Sequence, residues 1–162
     1  AATRIGFATT FAMGTAGQMV TSFNQTLDGT EGTVNTIYTW DSNWYMVKYV
    51  SNTWQPISLG AGRTLAWLTA SNETNYVLGT TTNTTYSNYD AYGHPGIVTV
   101  DFNDGWKKVT TNSYAPDVSN WVLDRLMYSK VEAYAPGQTM QYRESSFEYD
   151  PVYPWRLTKE II

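Results

Sequence analysis

The acid–base side chains of this sequence are few, and their spacing indicates one conventional reaction only. Its candidate carboxylates are Glu132, Glu144, Glu148 and Asp150. A pair of carboxyl groups is the machinery of glycoside hydrolysis, and Glu144 and Glu148 share one face of a strand by parity. The alternative is a solvated acidic face, which explains the same residues without chemistry. A small glycosidase is therefore the third of three functional hypotheses.

Most other catalytic chemistry is excluded by residue type. The chain has no cysteine and one histidine, His94, so thiol nucleophiles, disulfides, cysteine-ligated metals and two-histidine zinc sites are impossible. It has no Gly-x-Ser-x-Gly motif and no glycine-rich phosphate loop. Asp101, Asn103 and Asp104 carry oxygens that suit Ca²⁺, but a hairpin turn at Asp104-Gly105 explains them fully. We expect no enzymatic activity, no cofactor and no bound metal.

Aromatic residues offer a different chemistry, the stacking of flat rings on sugars. The sequence holds 13 Tyr and 7 Trp. Such amphipathic rings suit binding sites that are partly apolar and partly hydrated. The candidate ligand or interface aromatics are Trp44, Tyr45, Tyr86, Tyr89 and Tyr92. The first two belong to a cluster for which a packed core is the alternative. The three tyrosines belong to a predicted exposed loop over residues 86–94, for which a subunit interface is the alternative.

Three tripeptides match the N-glycosylation acceptor pattern, and their asparagines are Asn24, Asn72 and Asn83. Ser and Thr are so abundant that chance explains three matches. Asn83 is the best candidate because we expect its Thr-rich surroundings to form a polar loop.

The most informative segment is an alternating stretch at residues 5–14. Its even positions carry only small residues, and its odd positions carry large apolar ones except at Thr9. The four large residues are Ile5, Phe7, Phe11 and Met13. Because a strand alternates its side chains between faces, this strand would place four large groups in a groove and leave its other face smooth.

Two interpretations of this strand compete. In the first, it completes the chain's own sheet. In the second, it adds to the sheet of a neighbouring subunit, which is a polymerisation device, and Gly14 and Gly17 form the hinge. In its alternation alone the segment resembles the donor strands of secreted pilus subunits. We assign residues 1–17 to this strand and hinge, and residues 18–162 to a single β-sandwich domain.

The elements that position these residues are mostly short strands between turn clusters, typical of an antiparallel all-β fold. The 162 residues suit one domain, and we expect a β-sandwich of jelly-roll or Ig-like type. One segment departs from alternation, because Val118, Trp121, Val122 and Leu126 recur near a 3.6-residue period. With Pro136 and Gly137 after it, this segment predicts one helix near residues 118–133.

Composition excludes several partners. The net charge of −4 leaves no basic face for nucleic acid or for an anionic membrane surface. No run approaches the roughly 18 apolar residues of a membrane helix, so we expect no membrane span. The sequence begins Ala-Ala-Thr without Met, which we interpret as a processed, secreted chain. Its low charge and abundant Thr and Asn also fit an extracellular or cell-surface location.

These observations favour a non-enzymatic structural subunit of a secreted, self-assembling filament, sheath or coat. Its main partner would be itself, in a homopolymer joined by the N-terminal strand. The second hypothesis is a secreted carbohydrate-binding module or lectin that uses exposed Trp and Tyr, with glycans as its partners.

Overall fold

The computed structural model describes residues 9–12, 17–25 and 28–162, the first four through their backbone only. The chain divides into two compact units, Ala1–Thr84 and Thr85–Ile162. In the described ranges every regular element is a β-strand, and no helix is present. The predicted antiparallel all-β class is therefore confirmed.

Eleven strands follow one another in the part of the chain that the structure describes. They are β1 (Thr9–Ala12), β2 (Gln18–Phe23), β3 (Val34–Trp40), β4 (Met46–Gly60), β5 (Arg63–Asn75), β6 (Thr80–Tyr89), β7 (Pro95–Asp101), β8 (Lys107–Tyr114), β9 (Leu126–Tyr134), β10 (Gln141–Tyr149) and β11 (Leu157–Ile161). Their order in the sheet is the order in the chain. This single meander differs from the predicted jelly-roll or Ig-like sandwich, whose two sheets need crossover connections. The described strands provide no second sheet.

The first unit is built on the long hairpin of β4 and β5. The two strands pair from Lys48 opposite Asn75 to Gly60 opposite Arg63, with bulges that begin after Thr53 and Ser58. The hairpin closes because residues 60, 61 and 62 all adopt positive φ, at 77°, 50° and 73°. Glycine at the first and third of these positions accepts that conformation without a Cβ penalty. Strands β1, β2 and β3 extend the ladder on the β4 side.

The second unit contains the hairpin predicted at Asp104-Gly105. Strands β7 and β8 pair from Ile97 opposite Thr111 to Asp101 opposite Lys107. Within the turn, the backbone N–H of Phe102 donates to the carbonyl oxygen of Trp106 at 3.0 Å. The sequence signal at this turn is local, which is why it predicted the pairing correctly.

The predicted helix near residues 118–133 is wrong. Asp117 and Val122 exchange two backbone hydrogen bonds across a tight turn, at 2.8 and 2.9 Å. Trp121 has φ 57°, which interrupts any helical run. Residues 126–134 are strand β9, which pairs along its length with β8 from Leu126 opposite Tyr114. Ladder hydrogen bonds on both sides of β9 therefore override the weak helical period.

Few side chains are fully enclosed. Among the residues whose side chains are described, only Thr30, Ser145 and Pro154 are buried. The Leu, Ile, Val, Phe, Tyr, Trp and Met side chains in the same ranges are half-buried or exposed. A sheet normally covers its apolar face with another layer of structure. The described part of each unit does not supply such a layer.

Candidate functional site

One face of the first unit carries an aromatic row. Tyr38 on β3 lies directly opposite Tyr49 on β4, and their ring centroids are 5.0 Å apart. The Tyr38 ring also stacks on Trp40, at 5.6 Å and an interplanar angle of 16°. All three side chains are half-buried. The Tyr38 and Tyr49 rings are tilted by 38° to each other, so the row is not flat, but it is a partly hydrated aromatic surface that can stack against the C–H face of a sugar ring.

A polar row runs beside the aromatic row on the same face. Ser22, Thr36, Ser51 and Asn72 lie opposite one another across β2, β3, β4 and β5. The Ser22 and Thr36 hydroxyls form a hydrogen bond, and the Asn72 amide donates to Asn83 Oδ1. Hydroxyl and amide groups of this kind recognise the hydroxyls of a carbohydrate. The two rows together make this face a candidate binding surface.

Sequence patterns did not identify Tyr38, Trp40 or the three hydroxyl residues of the polar row as site residues, and they gave Asn72 only as a candidate glycosylation acceptor. The signal that could have found them is the alternation of Thr36, Tyr38 and Trp40, which places these three side chains on one face of a strand. Their alignment with β4 and β5 could not be deduced, because the strand register depends on long-range pairing.

The predicted aromatics occupy different settings. Trp44 and Tyr45 lie in the β3–β4 turn of the first unit and are 71% and 72% exposed. Tyr86 and Tyr89 lie in the second unit on strand β6 and are half-buried, so the predicted exposed loop is wrong over these residues. Tyr92 lies in the β6–β7 turn and is exposed. Burial raises the pKa of Tyr89, and the neighbouring Tyr86 raises it further.

The single histidine belongs to a compact cluster in the second unit. His94 Nδ1 lies 2.9 Å from Asp90 Oδ2, and the His94 ring stacks on Tyr114 at 4.8 Å. Burial opposes ionisation of Asp90, but hydrogen bonds from the His94 backbone, the His94 ring and the Tyr92 backbone outweigh it and lower the Asp90 pKa. Burial also raises the pKa of Tyr114. This cluster fixes the β6–β7 turn.

The predicted carboxylates are held in ion pairs. Lys130 lies 3.1 Å from Glu132 and 3.7 Å from Glu144. A hydrogen bond with Glu132 is the main cause of the raised pKa of Lys130. Lys159 lies 3.6 Å from Glu148, and Arg156 lies 3.9 Å from Asp150.

The spacing of Glu144 and Glu148 does not suit glycoside hydrolysis. Four residues along a strand separate their Cα atoms by about 13 Å, and the two carboxylates contact different lysines, Lys130 and Lys159. Paired glycosidase carboxylates lie roughly 5–9.5 Å apart. The structure therefore gives this pair no support as a catalytic dyad.

The predicted acceptor asparagines use their amides in side-chain contacts. The Asn24 amide donates to Thr33 Oγ1 at 2.9 Å. Asn72 on β5 and Asn83 on β6 form the pair described above. Asn83 is therefore in a strand, and the loop predicted around it is wrong.

The predicted assembly strand is described only in part. The backbone of β1 pairs with β2 of the same chain, with Phe11 opposite Met19. Ile5, Phe7, Met13 and Gly14 lie outside the described residues. Gly17 has φ 116°, and a Cβ at this position would overlap the carbonyl oxygen of Trp40.

Within the described ranges, no group of three His, Asp or Glu side chains has the geometry of a metal site. Asp101 and Asp104 instead close the β7–β8 turn, since their Oδ1 atoms accept the N–H groups of Asn103 and Trp106 at 2.9 and 3.0 Å. The described part of the chain also has no helix long and apolar enough to cross a membrane. No protein-family model matches the chain, and no curated protein matches it in sequence.

Acid should loosen the turn between β8 and β9. Hydrogen bonds from Ser119 and Asn120 lower the pKa of Asp117 from 3.8 to about 2. Because the folded-state pKa is depressed, the carboxylate stabilises the turn above pH 3.8, and this contribution is lost as the pH falls towards 2. We expect the backbone amide resonance of Asn120 to titrate with a midpoint near pH 2.

The matched control for this titration is Asp117→Asn, which keeps the side-chain shape but removes the charge. The Asn120 resonance of this variant should not move between pH 5 and pH 2. A wild-type midpoint close to the ordinary aspartate value of 3.8 would contradict the assignment.

Proposed function

We propose that this chain is a self-assembling structural subunit of an extracellular filament, sheath or coat, and that it has no enzymatic activity. The observation that carries the proposal is that only Thr30, Ser145 and Pro154 are buried among the side chains described. Such a sheet needs a covering layer to shield its apolar groups from water. Further copies of the same chain can provide that layer.

The N-terminal strand is the proposed connector. In the chain, β1 pairs with β2 through residues 9–12, and the same register can form between subunits if the strand is exchanged. Ile5, Phe7, Phe11 and Met13 would fill the groove of the neighbour, and Gly14 and Gly17 would form the hinge. A head-to-tail contact of this kind does not close on itself, so it propagates as a fibre.

In this proposal, the predicted β-sandwich forms between subunits and not within one chain. Sheets of neighbouring subunits that pack face to face at about 10 Å would form a sandwich between chains. The half-buried aromatic row of Tyr38, Trp40 and Tyr49 would then become part of an interface core. Tyr and Trp are enriched in such cores.

The proposal is tested by the mass of the native protein in neutral buffer. We expect light scattering to give megadalton particles, and negative-stain microscopy of the same sample to show rods, tubes or sheets. A monodisperse particle of 18.3 kDa would overturn self-assembly and return the N-terminal strand to its own sheet.

A carbohydrate-binding module is the second candidate, and the paired aromatic and polar rows of the first unit favour it. Under this hypothesis the protein should be retained on immobilised glycans and released by free sugar, and Tyr49→Ala should remove the retention. A pure assembly subunit should show no retention that free sugar competes.

A further inference from the structure

Tyr38 and Tyr49 form a close pair of phenol rings on neighbouring strands of the first unit. The two residues lie directly opposite each other on β3 and β4, and their ring centroids are 5.0 Å apart. Both side chains are half-buried, so each ring is partly packed and partly in contact with solvent. A small diffusible oxidant can therefore reach two phenols that are already side by side.

The mutual orientation of the two rings suits a bond between their edges. Their planes are tilted by 38°, whereas the rings of Tyr38 and Trp40 are stacked at 16°. Two phenols joined through ring carbons are twisted out of a common plane, so a tilted pair is closer to the joined geometry than a stacked pair. The remaining adjustment is rotation about χ2, for which an aromatic side chain has a broad energy minimum.

The positions on either side of the pair carry no competing phenol. In the same row across the sheet, Val20 lies opposite Tyr38, and Thr74 lies opposite Tyr49. Aliphatic and hydroxyl side chains are not oxidised by the mild one-electron oxidants that convert a phenol to a phenoxyl radical. A radical on one ring of the pair therefore has the other ring within contact distance as its coupling partner.

Several tyrosines of the second unit have an environment that opposes oxidation. Cationic side chains lie over the rings of Tyr134, Tyr142 and Tyr149, at 5.6, 5.1 and 5.7 Å from the ring centroids. A cation over a ring attracts the π electrons, and the same attraction makes removal of an electron from that ring less favourable. Among the residues that the structure describes, no Lys or Arg lies over Tyr38 or Tyr49 in this way.

A covalent link between β3 and β4 would stabilise a chain that cannot form disulfides. The sequence contains no cysteine, and few of the described side chains are fully buried. A link between residues 38 and 49 would close a short loop in the unfolded chain. Loop closure lowers the conformational entropy of the unfolded state and thereby stabilises the folded one.

From these observations we propose that Tyr38 and Tyr49 are a site of oxidative cross-linking, at which hydrogen peroxide and a catalyst of the haem peroxidase class join the two rings as dityrosine. Each phenol gives up one electron and one proton and becomes a phenoxyl radical. The peroxide takes up these two electrons and two protons and leaves as two water molecules.

The two radicals then form a carbon–carbon bond between the ring positions next to the hydroxyl groups. Each ring regains its aromaticity when the hydrogen on the coupled carbon moves to the phenolic oxygen. The product has lost two hydrogen atoms and no other atom. This inference does not depend on the proposed assembly.

The test is treatment of the dilute full chain with a haem peroxidase and hydrogen peroxide, followed by mass spectrometry under denaturing conditions. We expect a single-chain product that is lighter by two hydrogen atoms and has dityrosine fluorescence. Because trypsin cleaves after Lys48 and Arg63, the link should join the peptides of residues 5–48 and 49–63. The isolated product should melt about 5–10 °C above the untreated chain.

Two variants show whether the structure selects this pair. Tyr49→Phe should lower the yield of the single-chain product at least tenfold, because phenylalanine fills the same space but does not form a phenoxyl radical. Tyr45→Phe is the matched control and should leave the yield unchanged, although Tyr45 is 72% exposed and open to the oxidant. Circular dichroism should show that both variants keep the wild-type fold.

Several outcomes would overturn the proposal. These are the absence of a single-chain product, a link that maps to other tyrosines, an equal yield in Tyr49→Phe, or products that join different chains only. Wild-type protein unfolded in urea should lose the preference for residues 38 and 49, and an unchanged preference would also contradict selection by the fold. Light scattering before oxidation tests assembly separately, so failure of either proposal can be recognised independently.

Discussion

Deletion of residues 1–14 is expected to convert megadalton particles into single subunits or small oligomers, a fall in mass of more than tenfold. The reason is the apolar content of the strand. Burial of each large side chain contributes roughly 1.5–3 kcal/mol, so Ile5, Phe7, Phe11 and Met13 together supply on the order of 6–12 kcal/mol before ordering costs. Light scattering of the deletion variant measures the effect.

The deletion should be rescued by the missing strand supplied as a free peptide. A peptide of residues 1–14 should raise the melting temperature of the truncated subunit without restoring filaments, because it is no longer attached to a second subunit. The matched control peptide moves the four large residues to even positions. A one-residue slip of this kind turns the apolar side chains to the wrong face, so the control should not stabilise the subunit.

Two results would contradict the connector role. One is that the truncated chain still forms the same particles. The other is that the control peptide stabilises the truncated chain as well as the native peptide does. The first result would place the subunit contact elsewhere on the sheet. The second would show that the stabilisation does not depend on alternation of the side chains.

The second large effect is expected from Gly17→Ala, at the residue immediately before β2. The φ of 116° at this residue is strained for any residue with a side chain, and the added Cβ would overlap the Trp40 carbonyl oxygen. Strain of this kind costs about 1–3 kcal/mol, and the overlap adds to it. We expect the variant to lose about 3 kcal/mol of stability, together with part of the β2–β3 pairing.

The control for this substitution is Gly62→Ala in the β4–β5 turn. Gly62 also has positive φ, at 73°, but a Cβ there meets no atom within 4 Å. Its expected cost is only about 1 kcal/mol, from backbone strain. Thermal unfolding at matched protein concentration compares the two variants. Equal losses would show that the close approach to Trp40 has no energetic consequence.

The sequence predicted the features that depend on neighbouring residues. Asp104-Gly105 predicted the β7–β8 hairpin, and the alternation of β-branched and aromatic residues predicted an antiparallel all-β chain. Such signals work because a turn's backbone conformation and a strand's alternation are decided within a few residues. The exposure of Trp44 and Tyr45, for which a packed core was the alternative, was shown only by the structure, which places both residues in a turn that Asp41 closes.

Features that depend on distant residues were decided by the tertiary structure. The period of Val118, Trp121 and Val122 predicted a helix, but pairing with β8 and β10 made residues 126–134 a strand. Tyr86 and Asn83 likewise lie in β6 and not in loops. The face that brings Tyr38 to Tyr49, and Ser51 to Asn72, depends on the register of three strands. Register is fixed by pairing across the sheet, and a single sequence does not contain it.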